Sequence, residues 1–243
     1  IIVLESAKNE YYSWAIDNRI NHFAPAYSLS KRLRFPIFEL PTKEINKRIK
    51  TIIPISEHIG GLWNVISAAF PLEGPMIPIL KRALYQVYEY CGWGTRGKDA
   101  DFFLEESEAL FPTVEDICFV ISEIVEDLGY SGELRANIEA ALINRLLDLM
   151  VGTRKDVFSE NCNGFSIIDV LNSTKPGDNN AVICLDHLES EEDKALALGI
   201  FLLRLRETAR LSDVSNNSIN KIIVIEEAHR IIPNVSTGNN IDP

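Results

Sequence analysis

Three unbroken apolar runs constrain this chain more than anything else in it: Ile1-Ile2-Val3-Leu4, Ala181-Val182-Ile183-Cys184-Leu185 and Ile222-Ile223-Val224-Ile225. They do not alternate apolar with polar, so neither face is meant for water. Strands of this kind sit inside a parallel sheet covered on both sides. Between the second and third runs, Ser190 to Leu211 has the spacing of a long helix. Ser190 opens it as a cap, and Glu191, Glu192 and Asp193 suit the positive end of its dipole. Strand, helix, strand in that order predicts an α/β fold with a parallel core sheet.

The middle of the chain keeps a different period. Leu62, Val65, Ile66, Ala69 and Phe70 form a stripe at helical spacing, and Pro71 to Pro78 interrupts it. Ile79 to Tyr90 resumes it until Cys91-Gly92-Trp93-Gly94. Val114 to Leu128 is a further helix, capped by Thr113 with Asp116 three residues on. Leu134 to Met150 is another, with Gly152 as its stop. Trp63, Phe70, Tyr85, Tyr88 and Trp93 fall in these apolar stripes and read as core. Before this block, prolines at 36, 41 and 54 punctuate two short strands, expected near Pro36–Leu40 and Lys50–Ile55. Phe165–Leu171 is mixed and Asn172 to Asn180 a loop. The expected organisation is 1–58 and 153–243 as two parts of one α/β core, with 59–152 as a helical insertion.

The 243 residues carry 24 Lys and Arg against 35 Asp and Glu, a net charge of −11. That sign argues against non-specific nucleic-acid binding by the chain as a whole. The charge is uneven: residues 1–98 hold 13 basic and 8 acidic side chains, while Asp99 to Glu133 holds 11 acids and no Lys or Arg. Lys31, Arg32, Arg34, Lys43, Lys47, Arg48 and Lys50 supply much of the basic part, and read as a solvated face before a channel for DNA backbone. Cys91, Cys118, Cys162 and Cys184 are scattered and form no C-x-x-C, as expected of free thiols in a cytoplasmic protein. No run of 18 apolar residues suggests a membrane span. The chain opens on Ile1 without a basic segment, which reads as the interior of a longer protein and not as a signal peptide.

The chemistry gathers where the third run ends. Ile222-Ile223-Val224-Ile225 is followed by Glu226-Glu227, placing two acids at the carboxyl end of a strand, the end where open α/β sheets bind ligands. One acid can hold Mg2+, directly or through water. The other can orient a water that attacks a phosphoryl group. Asp186-His187 also ends a strand, but no motif places a Ser or Cys nucleophile beside it, so a hydrolase triad is discounted. In Gly152-Thr153-Arg154-Lys155 the cations are expected to favour a helix C-terminus before a phosphate.

The stretch Ile223-Val224-Ile225-Glu226-Glu227-Ala228-His229-Arg230-Ile231-Ile232-Pro233 resembles the Walker B region of HerA-type ATPases, within the HerA/FtsK group of P-loop ATPases. The opening Val3-Leu4-Glu5-Ser6-Ala7-Lys8-Asn9-Glu10-Tyr11 resembles the strand and turn that follow the P-loop helix in that group. Ala181–Leu188 and Ser190–Leu211 fall in the order the family has before its Walker B strand. Leu62-Trp63-Asn64 and the Phe70-Pro71 break resemble the helical insertion of bacterial members. The resemblance implies a partial RecA-like parallel sheet, with Mg2+ and ATP as ligands of an intact parent. It implies Glu226 as the metal-binding and catalytic acid, Glu227 as the carboxylate that polarises water, His229 as a further catalytic residue and Glu5 as an acid near the nucleotide. Lys8 and Glu10 are expected to pair. It also implies double-stranded DNA as the cargo, a homo-hexameric ring and a nuclease or defence effector as partner. The departure is plain: no G-x-x-x-x-G-K-[ST] occurs, and Gly97-Lys98 lacks both the upstream glycine and the following hydroxyl. A fragment without that loop is expected to be inactive by itself. The rival readings are a secretion- or conjugation-type ATPase and an NTPase-derived scaffold that binds an effector through the acidic block.

Overall fold

In the computed structural model, residues 1–6, 8–25, 29–45, 48–51, 53–70, 72–95, 111–159, 162–173, 180–188, 190–210 and 221–228 are described. The first strand is β1 (Ile2–Glu5), followed by the short helix α1 (Tyr11–Asp17). Strands β2 (Asn21–Ala24) and β3 (Lys31–Arg34) come next, then a hairpin of β4 (Thr42–Ile45) and β5 (Arg48–Thr51). The helical block is α2 (Ile55–Ala69), α3 (Met76–Tyr90), α4 (Val114–Asp127) and α5 (Gly132–Asp148). After it come α6 (Gly152–Phe158), β6 (Phe165–Ser166), α7 (Ile167–Asn172), β7 (Ala181–Cys184), α8 (Glu191–Ala209) and β8 (Ile223–Ile225).

Among the described residues six strands form one sheet in the order β6-β3-β2-β7-β1-β8, and every pairing in it is parallel. The α/β class and the parallel sheet expected from the sequence are therefore present, in the manner of a partial RecA-like fold. All of β7 is buried, as its unbroken apolar run requires. The third run departs from expectation: Val224 is 43 % exposed and Ile222 50 %. The cause is position, because β8 pairs with β1 on one side and stands at the end of the strand order.

Two local expectations are corrected. Residues 36–40 are not a strand, although Phe35, Ile37, Phe38 and Leu40 are buried. Their carbonyls are taken by side chains: Arg204 Nη2 donates to the oxygens of Ile37 (2.6 Å) and Pro36 (3.4 Å), and the Tyr88 hydroxyl to that of Phe38 (2.5 Å). Side-chain donors thus replace a ladder that Pro36, lacking an N–H, could not complete. The stop at Gly152 is also the start of α6, with Gly152 at φ +57°. The predicted strand at Lys50–Ile55 is β5 displaced toward the N-terminus, and α2 begins at Ile55.

The expected caps are present. Thr113 accepts from the Asp116 N–H while Asp116 bonds back to the Thr113 N–H (2.8 Å), and Ser190 accepts from Asp193 (3.0 Å). Helix α2 joins the helical block to the sheet by lying on α8. The two cross closely because each presents a glycine to the other. A Cβ on Gly61 would fall 2.5 Å from Leu203 Cδ1, and one on Gly199 2.8 Å from Val65 Cγ1. Beside this crossing lies a buried polar network. His58 on α2 places Nδ1 2.7 Å from Glu207 Oε1 on α8, and Nε2 2.8 Å from the Tyr88 hydroxyl on α3. Arg204 Nη1 donates to Glu207 Oε2 at 2.8 Å. All four side chains are buried, so their polar atoms depend on one another and not on water, and Arg204 Nε is left without a partner. Burial pushes the His58 pKa down; burial would raise that of Glu207, but the Arg204 guanidinium and the contacts with His58 and Arg204 outweigh it and hold the carboxyl below its usual range.

Candidate functional site

Because the sheet is parallel, the ends of β1, β7 and β8 open on the same edge. Leu4 pairs with Ile225 and Glu5 with Cys184, so Glu5, Asp186 and Glu226 all follow from neighbouring strand ends. Main-chain bonds carry this register past the strands: the Leu185 N–H donates to Glu5 O (2.7 Å) and the Glu226 N–H to Leu4 O (2.9 Å). The Ser6 hydroxyl adds a bond to Glu226 O at 3.1 Å.

Glu5 is only 1 % exposed. Its Oε1 accepts the N–H groups of Glu10 and Tyr11 (3.4 Å for Tyr11), and its Oε2 is buried with no hydrogen-bond partner. Burial raises its pKa most, the two N–H donors oppose this, and the nearby Glu226 carboxylate adds to the rise. Glu226 is half-buried, and its Oε1 accepts the hydroxyl of Tyr11. That bond, with the negative charge behind it, raises the Tyr11 pKa. Glu227 is exposed and sits at φ +49°, in the left-handed region that a non-glycine residue enters at a cost of about 1 to 2 kcal/mol. Strain of this kind concentrates at functional sites. Here Glu226 is held at the β1–α1 turn, while Glu227 next to it is exposed to solvent.

The structure thus brings Glu5 and Glu226 together through Tyr11 and keeps Glu227 beside them. His229 lies outside the described residues. Lys8 and Glu10 do pair, at 3.3 Å, but both are well exposed and the bond contributes little. Arg154 is tied to Asp193 on α8 (Nε–Oδ1 2.9 Å) and to Asp148, the last residue of α5, and Lys155 lies in the last turn of α6, so both cations stand near helix C-termini as expected. Arg34 is buried against Ser159 O (3.1 Å), and Lys31 lies over the rings of Phe23 and Phe165. Arg32 faces Asp156 at 3.8 Å. These three are thus engaged within the fold, while the side chains of Lys43, Lys47 and Arg48 lie outside the described set.

Asp186 and His187 occupy the turn after β7, and the nearby Cys184 thiol is pushed up to about 12 by burial, which leaves no thiolate to act as a nucleophile. Cys91 and Cys118 are raised to about 11 for the same reason. All four cysteines are free. Among the described residues no group of three or more His, Cys, Asp or Glu could hold a metal. None of the described helices is long and apolar enough to cross a membrane. Neither Tyr11 nor Ser6 stands out in the sequence as a site residue. The only signal was that both lie in the stretch after Glu5, and the bonds they make span 215 and 220 residues.

No family model matches the chain, and no curated protein does. Among solved structures, the fold matches VirB4 of Thermoanaerobacter pseudethanolicus with a TM-score of 0.63 and 12 % identity, over 96 % of this chain and 76 % of that one. At that identity the likeness is one of fold.

Proposed function

We propose that this chain is the central part of an ATP-hydrolysing motor, with Glu226 and Glu227 as its Walker B acids. The observation that supports this most is the pair of successive carboxylates at the carboxyl end of a parallel strand, with Glu227 in a strained φ. The fold match adds to it, since VirB4 is a P-loop ATPase of type IV secretion. In this reading 1–58 and 153–243 form the ATPase core and 59–152 its helical insertion. The phosphate-binding loop and its lysine come from outside these 243 residues, because the sequence contains no such loop.

The donors suit Mg2+. Glu226 offers a hard oxygen, and beside it Glu5 holds a buried Oε2 with no hydrogen-bond partner. With so few protein ligands the ion would keep water and phosphate oxygens in most positions, as Mg2+ prefers. When bound, Mg2+ would neutralise phosphate charge. The chain's own part is then to hold Glu226 through Tyr11 and Ser6, and to present Glu227 to a water as acceptor of its proton. His229 follows on the same segment and is proposed as an auxiliary to that water.

The cargo is proposed to be double-stranded DNA, moved through a homo-hexamer of the HerA type that works with a nuclease or defence effector, on the resemblance of residues 223–233. The fold match to VirB4 favours a second reading, an ATPase of the secretion or conjugation type. ATP hydrolysis by the full-length protein, with and without double-stranded DNA, separates them. Stimulation by DNA supports the translocase, and DNA-indifferent turnover supports the secretion-type motor. An inability to bind or hydrolyse ATP would leave the scaffold reading.

A further inference from the structure

We propose that the outer face of α4, with Tyr90 of α3 beside it, is a docking surface for an arginine-bearing segment of another protein. The surface lies in the helical block and does not depend on the ATPase reading. Phe119 stands in the middle of α4 and is 62 % exposed, and Tyr90 at the end of α3 is 59 % exposed. Aromatic rings presented to water on neighbouring helices are the kind of surface that protein partners bury.

Two contacts show that α3 and α4 run antiparallel. Arg82 Nη2 lies 3.6 Å from Asp127 Oδ2, and the Tyr90 hydroxyl donates to Glu123 Oε2 at 3.1 Å. Gln86 Nε2 donates to the same hydroxyl at 2.8 Å, which holds the Tyr90 side chain in place. Glu115 and Glu123 stand four residues to either side of Phe119, so they share its face of the helix. Further along α4, Glu126 is answered by Arg135 at 3.4 Å and Asp127 by Arg82. Among the described residues no Lys or Arg pairs with Glu115 or Glu123. An aromatic ring between two carboxylates suits one side chain above others. The arginine guanidinium is flat and weakly hydrated, so it lies on a ring while its edge N–H groups reach carboxylates. The lysine ammonium is a strongly hydrated point charge and fits such a place less well. Charge also selects against other occupants. The acids repel nucleic acid. Residues 99–110 of this chain, outside the described set, carry Asp99, Asp101, Glu105, Glu106 and Glu108 without a Lys or Arg, so they share the sign of the face.

The test titrates the full-length protein with two fluorescein-labelled peptides, one of alternating Arg and Ala and one of alternating Lys and Ala. Fluorescence anisotropy is read at an ionic strength of about 0.15 M, where attraction between distant charges is largely screened. The parent is expected to bind the Arg peptide more tightly than the Lys peptide. Phe119→Leu keeps an apolar side chain at an exposed position, so folding is retained, but it removes the ring. It should weaken the Arg peptide by about 3- to 10-fold, the loss of a cation–π contact, and narrow the gap between the two peptides. The double variant Glu115→Gln/Glu123→Gln should weaken binding at least as much. Glu191→Gln/Glu192→Gln removes the same charge from exposed positions at the start of α8 and should change nothing. Equal loss in that control would mean that the peptide answers only the net charge of the chain, and overturns the proposal. So does an Arg peptide that binds Phe119→Leu as tightly as the parent, equal affinity of the parent for both peptides, or no binding by the parent.

Discussion

Arg204→Met tests the claim that a buried charge network holds the helical block to the sheet. Arg204 is fully buried and donates to Glu207 Oε2 at 2.8 Å and to Ile37 O at 2.6 Å. Methionine fills much of the volume but satisfies neither acceptor. It leaves the Glu207 carboxylate, 1 % exposed, with His58 as its remaining partner. Removing one member of a buried pair costs about 3 to 5 kcal/mol, because the other charge stays desolvated. With a urea m-value of about 3 kcal/mol/M for a chain of this size, the unfolding midpoint should fall by about 1 to 2 M. The double variant Arg204→Met/Glu207→Gln removes both charges together, and should lose less than Arg204→Met alone. Urea titration followed by circular dichroism reads both. A single variant within about 1 kcal/mol of the parent would refute the reasoning, as would a double variant that costs the sum of the two singles.

Three further outcomes follow from the geometry. Gly199→Ala should destabilise by about 1 to 3 kcal/mol, because its Cβ would meet Val65 Cγ1 at 2.8 Å and the overpacking outweighs the helix propensity gained; thermal melts check this. Stability should fall as pH drops below about 6.5, because the pKa of His58 is lowered in the fold and the unfolded chain therefore takes up its proton first. A His58→Gln variant should lose that part of the slope in urea titrations run between pH 7 and pH 5. Glu5→Gln should act with the opposite sign. The folded pKa of Glu5 is raised, so its ionisation opposes folding once pH climbs past 4.5, and the amide should melt higher than the parent at pH 7 with the gap closing in acid.

What the sequence disclosed, and what it hid, follows from where each residue finds its partners. The strands β1, β7 and β8 were legible because apolar runs of four or five residues have few other uses. The helices α2 to α5 and α8 were legible because a stripe at 3.6 spacing persists over many turns. The strands β2 and β3 were not. They carry Asn21, His22, Lys31, Arg32 and Arg34, and polar residues in a sheet make sense only once distant partners are known. His22 Nδ1 meets Ser30 Oγ at 2.7 Å, and Arg34 reaches Ser159 O. Residues 36–40 misled in the other direction, since their apolar pattern suits a strand while their carbonyls serve Arg204 and Tyr88. In the candidate site, Glu226-Glu227 stood out as two acids after an apolar run. Tyr11 gave no such sign, because its bond to Glu226 closes a separation that only the sheet brings together.

The central claim is that Glu226 and Glu227 belong to one nucleotide-hydrolysing site with divided duties. The most direct measurement is nucleotide binding and phosphate release in the full-length protein carrying Glu227→Gln, beside the parent. The variant is expected to bind a fluorescent ATP analogue with Mg2+ about as tightly as the parent, and its turnover to fall by about 100-fold or more, on the order of what general-base removal costs. Turnover at the parent's rate in Glu227→Gln would contradict it.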